Sequence, residues 1–139
     1  MTRAYVPAFG TGGSLRDEVT ADVAELFHTE WQGVDPTADL AAADHFLFHD
    51  CPPGVRSWAH GTLRLFHPAV LPTQPAGSRP AIPSTVIVPA EDRTLRSSWM
   101  RAAARLRLGV EAHDVPGGHC PHVSQPAAVA EILGELVRH

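Results

Sequence analysis

No apolar run in this 139-residue chain approaches the roughly 20 residues that span a bilayer. The opening residues "MTRAYVPAFGTGG" lack a basic leader followed by an apolar stretch, so the expected location is the cytoplasm. Positive charge is short as well. Lys and Arg number 11 against 15 Asp and Glu, the formal charge is −4, and no basic run is interleaved with aromatics. That balance excludes a polyanion-binding footprint, and nucleic acid is not an expected partner. Cysteine is scarce: there are 2, Cys51 and Cys120, and without a secretory leader they are expected to be reduced rather than paired. Complete cofactor motifs are missing too. "GTGG" is followed by no Lys-Ser/Thr and completes no G-x-G-x-x-G, so it is a turn rather than a phosphate cradle, and no cofactor is expected.

What is present is ordinary globular material, 44% hydrophobic and 19% charged, with the length of one domain and one core. "RAYVPAF" (3 to 9) reads as a short buried strand, followed by the glycine turn "GTGGS", so that residues 1 to 14 form a strand and turn. Residues 15 to 66 read as helical. Val19, Val23, Leu26 and Phe27 recur at helical spacing towards Trp31, a second helix follows Asp35-Pro36 through "TADLAAADHFLF", and a third runs from Pro53 to Phe66. On the third, Val55, Trp58, Thr62 and Leu65 share a face.

A proline-rich connector without period occupies 67 to 83. Beyond it, "STVIV" (84 to 88) is a run suited to a parallel strand covered on both faces. In "LRSSWMRAAARLRL" (95 to 108), Leu95, Trp99, Ala102, Ala103 and Leu106 share one face, and Gly109 stops the helix. "VEAHDV" (110 to 115) is a second strand. A final helix, with Ser124 as N-cap and Pro126 in its first turn, carries the stripe Val129, Ile132, Leu133, Leu136 and Val137 towards the core. Residues 84 to 139 thus form a βαβα unit, the pattern of a parallel α/β layer.

In parallel sheets chemistry gathers at the carboxyl ends of strands. Two loops qualify here, "PAEDR" after the first strand of this unit and "PGGHCPH" after the second. Adjacent strands lie about 4.8 Å apart, so the side chains of Asp92 and His119 can meet. A carboxylate on one imidazole nitrogen fixes the tautomer and leaves the other nitrogen free to take a proton from a nucleophile. The competing interpretation makes Asp92 a helix cap and His119 a surface loop residue. Metal donors also cluster: His45 and His49 at i, i+4 with Asp44 or Asp50 nearby, and His119 with Cys120 and His122. Neither set has a zinc spacing, since the first lacks the Glu of H-E-x-x-H, and no metal is expected.

Taken together, "STVIVPAEDR", an amphipathic helix, a short strand and "PGGHCPHVSQPAAVAEIL" resemble the end of the α/β-hydrolase fold, in its branch of small-ester hydrolases that includes methylesterases. "RAYVPAFGTGGSLRDE" is similar to that family's sixth strand and loop, and "DHFLFHDCPPGVRSWAHGTLRL" to its cap region. The resemblance covers nearly the whole chain, loosely in the cap and specifically at "AEDR" and "GGHCPH". It implies an α/β fold made of about three parallel strands at the C-terminal part of a hydrolase sheet, plus a mainly helical cap. It makes Asp92 the triad acid and His119 the triad base, and it places Phe46, Phe48 and Trp58 at an acyl pocket.

The family also needs a serine on a strand-to-helix elbow, usually G-x-S-x-G, and this sequence contains none. Ser14 in "GTGGSLRD" lacks the second glycine at the right offset. The resemblance therefore implies the C-terminal half of a serine ester hydrolase, inactive alone, with its small-molecule ester bound only once an N-terminal half completes it. An exposed first strand would favour oligomers or a partner chain. The rival expectation is a non-catalytic small-molecule-binding or scaffold domain derived from the same fold, and a second is a small histidine-based metalloprotein.

Overall fold

A computed structural model describes residues 26–31, 33–64 and 83–138. The expected strand at 3 to 9, most of the helix at 15 to 31 and most of the connector at 67 to 83 lie outside the described residues. Described elements begin with a single 3-10 turn, Thr29–Trp31.

Asp39 starts helix α1 (Leu40–Phe46) as its N-cap, accepting from the Ala41 and Ala42 N–H groups at 2.8 and 3.4 Å. That cap satisfies donors with no partner inside the helix. Its alanines let a short apolar face sit close to helix α2 (Pro53–Thr62), which Pro53 opens because a first-turn proline loses no hydrogen bond. α2 ends at Thr62, and Leu63 turns the backbone extended, short of the expected end at Phe66. The core forms between the two helices from Ala43, Phe46, Leu47, Phe48, Cys51 and Ala59, with Trp31 set edge-on to Phe46 at 5.4 Å between ring centroids. On α2 the inward residues are Ala59 and, half-buried, Val55, whereas Trp58 points outward at 62% exposure. The expected face is thus rotated by about one residue. Ala59 is small enough to let α2 lie against the Phe46 and Phe48 rings, which a tryptophan there would hold apart.

Strand β1 (Val86–Pro89) pairs in parallel with strand β2 (Ala112–Val115), in the register Val86 to Ala112 through Pro89 to Val115. This is the two-stranded parallel sheet expected of the βαβα unit. Val88 and Val115 are fully buried, each removing from water a side chain whose burial stabilises by about 2 kcal/mol. Between the strands runs helix α3 (Ser97–Ala103), which widens into a π-helical turn over Ala104–Leu108 before Gly109, at φ 68°, ends it. The wider turn inserts residues relative to an α-helical count, so Ala104 takes the buried position and Leu106, expected inward, is 85% exposed. Arg101 pairs with Asp114 and Arg105 with Glu111 across the outer side of this crossover.

After β2 the chain makes one helical turn, α4 (Pro121–Ser124), then helix α5 (Pro126–Val137). Ser124 belongs to α4 rather than capping α5. Its hydroxyl turns back to the Cys120 carbonyl at 3.4 Å, and Gln125 occupies the N-cap position ahead of Pro126. No residue of α5 is fully buried. Val129 and Ile132 are half-buried, but Leu133, Leu136 and Val137 of the same stripe are 51%, 44% and 87% exposed. The helix packs against β2 and leaves Leu133, Leu136 and Val137 largely exposed towards its C-terminal end.

Candidate functional site

Parallel pairing continues past the strand ends and sets two exit loops side by side. Ala90 N–H donates to Val115 O at 2.9 Å and Glu91 N–H to Gly117 O at 3.0 Å. One residue beyond the first loop's last ladder bond stands Asp92, and two beyond the second's stands His119. His119 Nδ1 lies 2.9 Å from Asp92 Oδ2. A carboxylate only accepts, so Nδ1 carries the hydrogen and Nε2 is the free, proton-accepting nitrogen of the neutral ring.

The other oxygen, Asp92 Oδ1, accepts from Thr94 N–H at 2.7 Å and Leu95 N–H at 3.0 Å. Asp92 therefore holds the turn that precedes α3 as well as His119, but it does not cap the helix itself, whose N-cap position is Arg96. Its side chain is 1% exposed while that of His119 is 28% exposed, which shields the bond but leaves an edge of the ring accessible. Burial pushes the Asp92 carboxyl up. The hydrogen bond and charge of His119, with the Leu95 and Thr94 N–H groups, outweigh it and hold the carboxyl below the ordinary value.

A third loop, the turn after α1, closes against these two. Asp50 Oδ2 accepts the Gly118 N–H at 2.8 Å, and His49 Nε2 lies 3.1 Å from the Glu91 carbonyl, to which it donates. Arg56 of α2 braces the same turn through the Cys51 carbonyl at 3.1 Å. Burial raises the Asp50 carboxyl, but the Ser124 hydroxyl and the Gly118 N–H more than offset it, so it too lies below the ordinary value. Further bridges join α1 to the Asp92 loop. Thr94 Oγ1 donates to the Phe46 carbonyl at 3.5 Å and Arg93 Nη1 to the His45 carbonyl at 3.3 Å. The Leu26–His28 segment pins the other side, with His28 N–H on Thr94 O at 3.0 Å and Arg96 N–H on Leu26 O at 2.9 Å.

Asp92 and Asp50 make the stability of this junction acid-sensitive. A carboxyl whose folded pKa lies below its unfolded value stabilises fully above the unfolded value, here 3.8 for both, and loses that contribution as pH falls through the folded value. The gap in urea midpoint between the wild type and Asp92→Asn is therefore expected to be full above about pH 5 and to shrink below the ordinary carboxylate range. A gap that stays constant down to acid pH would show that the carboxyl is not held low.

The remaining sequence candidates are placed apart. Phe46 and Phe48 are buried in the core at 6% and 4% exposure, and Trp58 stands on the outer side of α2. α1 ends at Phe46, so His45 and His49 do not share a helical face: His45 Nδ1 meets Arg93 at 3.3 Å while His49 meets Glu91. Asp44 is engaged by His60 Nε2 at 2.7 Å and Arg56 Nε at 3.6 Å. His122 lies exposed on α4, while Cys120 packs against the core beside Cys51. Both thiols are free. Burial pushes Cys120 up to about 12 and also raises Cys51, so neither has thiolate character. Among the described residues, no three His, Cys, Asp or Glu side chains are grouped to hold a metal ion, and no helix is long and apolar enough to cross a membrane.

From the sequence, His49 and Asp50 stand as candidate metal donors within a segment that resembles a cap region, and their contact with the two exit loops goes unread. The available signal was the Gly117-Gly118 pair, since consecutive glycines mark a close approach by something. A Cβ on Gly117, at φ +96°, would lie 2.5 Å from Asp50 Oδ2, and one on Gly118 would lie 2.6 Å from His49 Nε2. No protein-family model matches this chain and no curated protein matches it.

Proposed function

We propose that this chain supplies the acid and base of a serine-type ester hydrolase of the α/β-hydrolase kind, and that the nucleophile comes from a segment outside these 139 residues. The observation that carries this reading is the 2.9 Å bond between His119 Nδ1 and buried Asp92 Oδ2, made across the exits of two neighbouring parallel strands. In such a pair the imidazole takes the proton of an attacking hydroxyl at Nε2 and later returns it to the leaving group, while the carboxylate holds the ring and stabilises the imidazolium. Neither free thiol is suited to the nucleophile's place, because desolvation raises both, Cys120 to about 12.

In this reading β1 and β2 are the C-terminal part of a larger parallel sheet, and the helices between 40 and 62 belong to a cap over it. The exposed Leu133, Leu136, Val137 and Leu106 side chains support association with a completing chain or a second copy, since bare apolar surface favours being covered. The substrate class is a small carboxylic ester, and the compartment is the cytoplasm.

Hydrolysis of a p-nitrophenyl ester tests the proposal. The chain alone is expected to give no turnover above solvent. Adding a segment that carries a G-x-S-x-G elbow is expected to restore turnover, and His119→Ala in that mixture should lower it by roughly 10⁴-fold or more. Clear turnover by the chain alone that His119→Ala abolishes would overturn the missing-nucleophile reading. Turnover indifferent to His119 would overturn the acid–base assignment itself.

A further inference from the structure

We propose that Asp50 is the positioning residue of the His119 loop: by accepting the Gly118 N–H it holds the imidazole Nδ1 against Asp92. The inference rests on reading Asp92 and His119 as an acid–base pair. Three loops of separate origin meet at this point. Glu91 N–H donates to Gly117 O at 3.0 Å, His49 Nε2–H donates to Glu91 O at 3.1 Å, and Gly118 N–H donates to Asp50 Oδ2 at 2.8 Å. Because His49 and Asp50 are consecutive, these bonds close a ring through the acid loop, the base loop and the cap turn.

Asp50 reaches 68 residues along the chain to make its bond, and the bond falls on the residue immediately before the base. A carboxylate accepting a backbone N–H makes a shorter and stronger hydrogen bond than a neutral acceptor does. Space enforces the same placement. A Cβ on Gly118 would stand 2.9 Å from Asp50 Oδ1 as well as 2.6 Å from His49 Nε2, so the loop backbone lies directly on the His49-Asp50 turn. Groups that must be held within a fraction of an ångström for proton transfer need such outer support.

The arrangement predicts that the cap turn controls which nitrogen of His119 carries the proton, which ¹⁵N-labelled full chain reports through the imidazole ¹⁵N–¹H correlations. The wild type is expected to show His119 as the Nδ1–H tautomer with a slowly exchanging Gly118 amide. In Asp50→Ala, Gly118 exchange should accelerate roughly tenfold, the equivalent of one ordinary hydrogen bond, and the Nδ1–H signature should be lost. Asp50→Asn keeps an acceptor oxygen in place and should restore both. The His60 ring, bonded to Asp44 elsewhere, should keep its signal throughout and serves as the folding control.

Should Asp50→Ala fail to fold, Gly118→Ala provides the second variant, because its Cβ displaces the loop from Asp50 while leaving the carboxylate intact; it too should lose the His119 signature. A folded Asp50→Ala or Gly118→Ala with unchanged His119 tautomer would overturn the inference and leave the acid–base pair standing. An Asp50→Asn protein that behaves like Asp50→Ala would also overturn it, since an acceptor oxygen in the same place would then not hold the loop. A wild type without the Nδ1–H signature would instead overturn the acid–base pair, and the inference with it.

Discussion

Asp92→Ala is expected to lower the unfolding free energy by about 3 kcal/mol, since it leaves two buried N–H donors and one imidazole N–H without an acceptor. Those donors are Thr94 N–H, Leu95 N–H and His119 Nδ1–H, each within 3.0 Å of the carboxylate. Equilibrium urea unfolding measures the loss, and for a chain of this length the thermal midpoint should fall by about 10 °C. Asp92→Asn separates the two duties of the side chain. Its carbonyl oxygen can keep the Thr94 and Leu95 bonds, which turns its NH₂ group to His119 and forces the imidazole to offer Nδ1 as an acceptor. Most of the stability should therefore remain while the proton moves to Nε2, the nitrogen that a base needs free. In a completed site that wrong tautomer is expected to cost roughly 10⁴ in rate. If Asp92→Ala were as stable as the wild type, the carboxylate would not be the keystone of the turn that the hydrogen bonds describe.

The second large effect belongs to Gly117. Gly117→Ala requires an L-residue at φ +96° and sets its methyl 2.5 Å from Asp50 Oδ2 and 2.8 Å from the Gln125 Cγ. Left-handed backbone costs about 1–2 kcal/mol and overpacking about 1–3 kcal/mol, so the expected loss is about 3 kcal/mol. Gly109→Ala is the natural comparison. It also needs a positive φ, +68°, but meets nothing within 4 Å, and it should lose only the backbone part, about 1 kcal/mol. Urea denaturation of the two variants side by side measures the crowding at Gly117 by difference. Equal losses would show that Asp50 and Gln125 yield, and that the turn after α1 does not press on the Gly117 loop.

The pairing of Asp92 with His119 was legible in the sequence because it depends on local facts. Each residue follows a short β-branched or apolar run, a single helix separates the runs, and a right-handed crossover brings them into neighbouring parallel strands. The α3 helix was legible for similar reasons, from spacing and from Gly109 at its end, whereas α1 starts only at Leu40 behind an Asp39 cap rather than directly after Asp35-Pro36. What failed were details that depend on how helices meet. Leu106 was expected inward, yet the π-helical turn after Ala103 advances the chain and buries Ala104 in its place. Trp58 was expected on the packing face of α2, where the Phe46 and Phe48 rings leave room for Ala59. Ser124 carries the features of a cap, but Pro121 starts a turn of its own and consumes it.

The apolar stripe of α5 shows the same limit from another side. Period alone assigns Val129, Ile132, Leu133, Leu136 and Val137 to one face, and they do share it. Period does not say whether a surface exists for that face to meet: Val129 and Ile132 are half-buried, while Leu133, Leu136 and Val137 stay exposed.

By itself, then, the sequence narrowed the acid–base candidates to two residues that follow the strands of one βαβα unit, because strand order follows from short-range pattern. It also determined that no serine elbow is present among the 139 residues. Only the tertiary structure decided that His49 and Asp50, placed in a separate turn far back along the chain, hold the two exit loops together. The physical reason is that a backbone N–H or carbonyl looks alike at every position, so sequence carries no mark of which distant side chain will satisfy it. That choice is made when α1, β1 and β2 pack and bring Asp50 against Gly118.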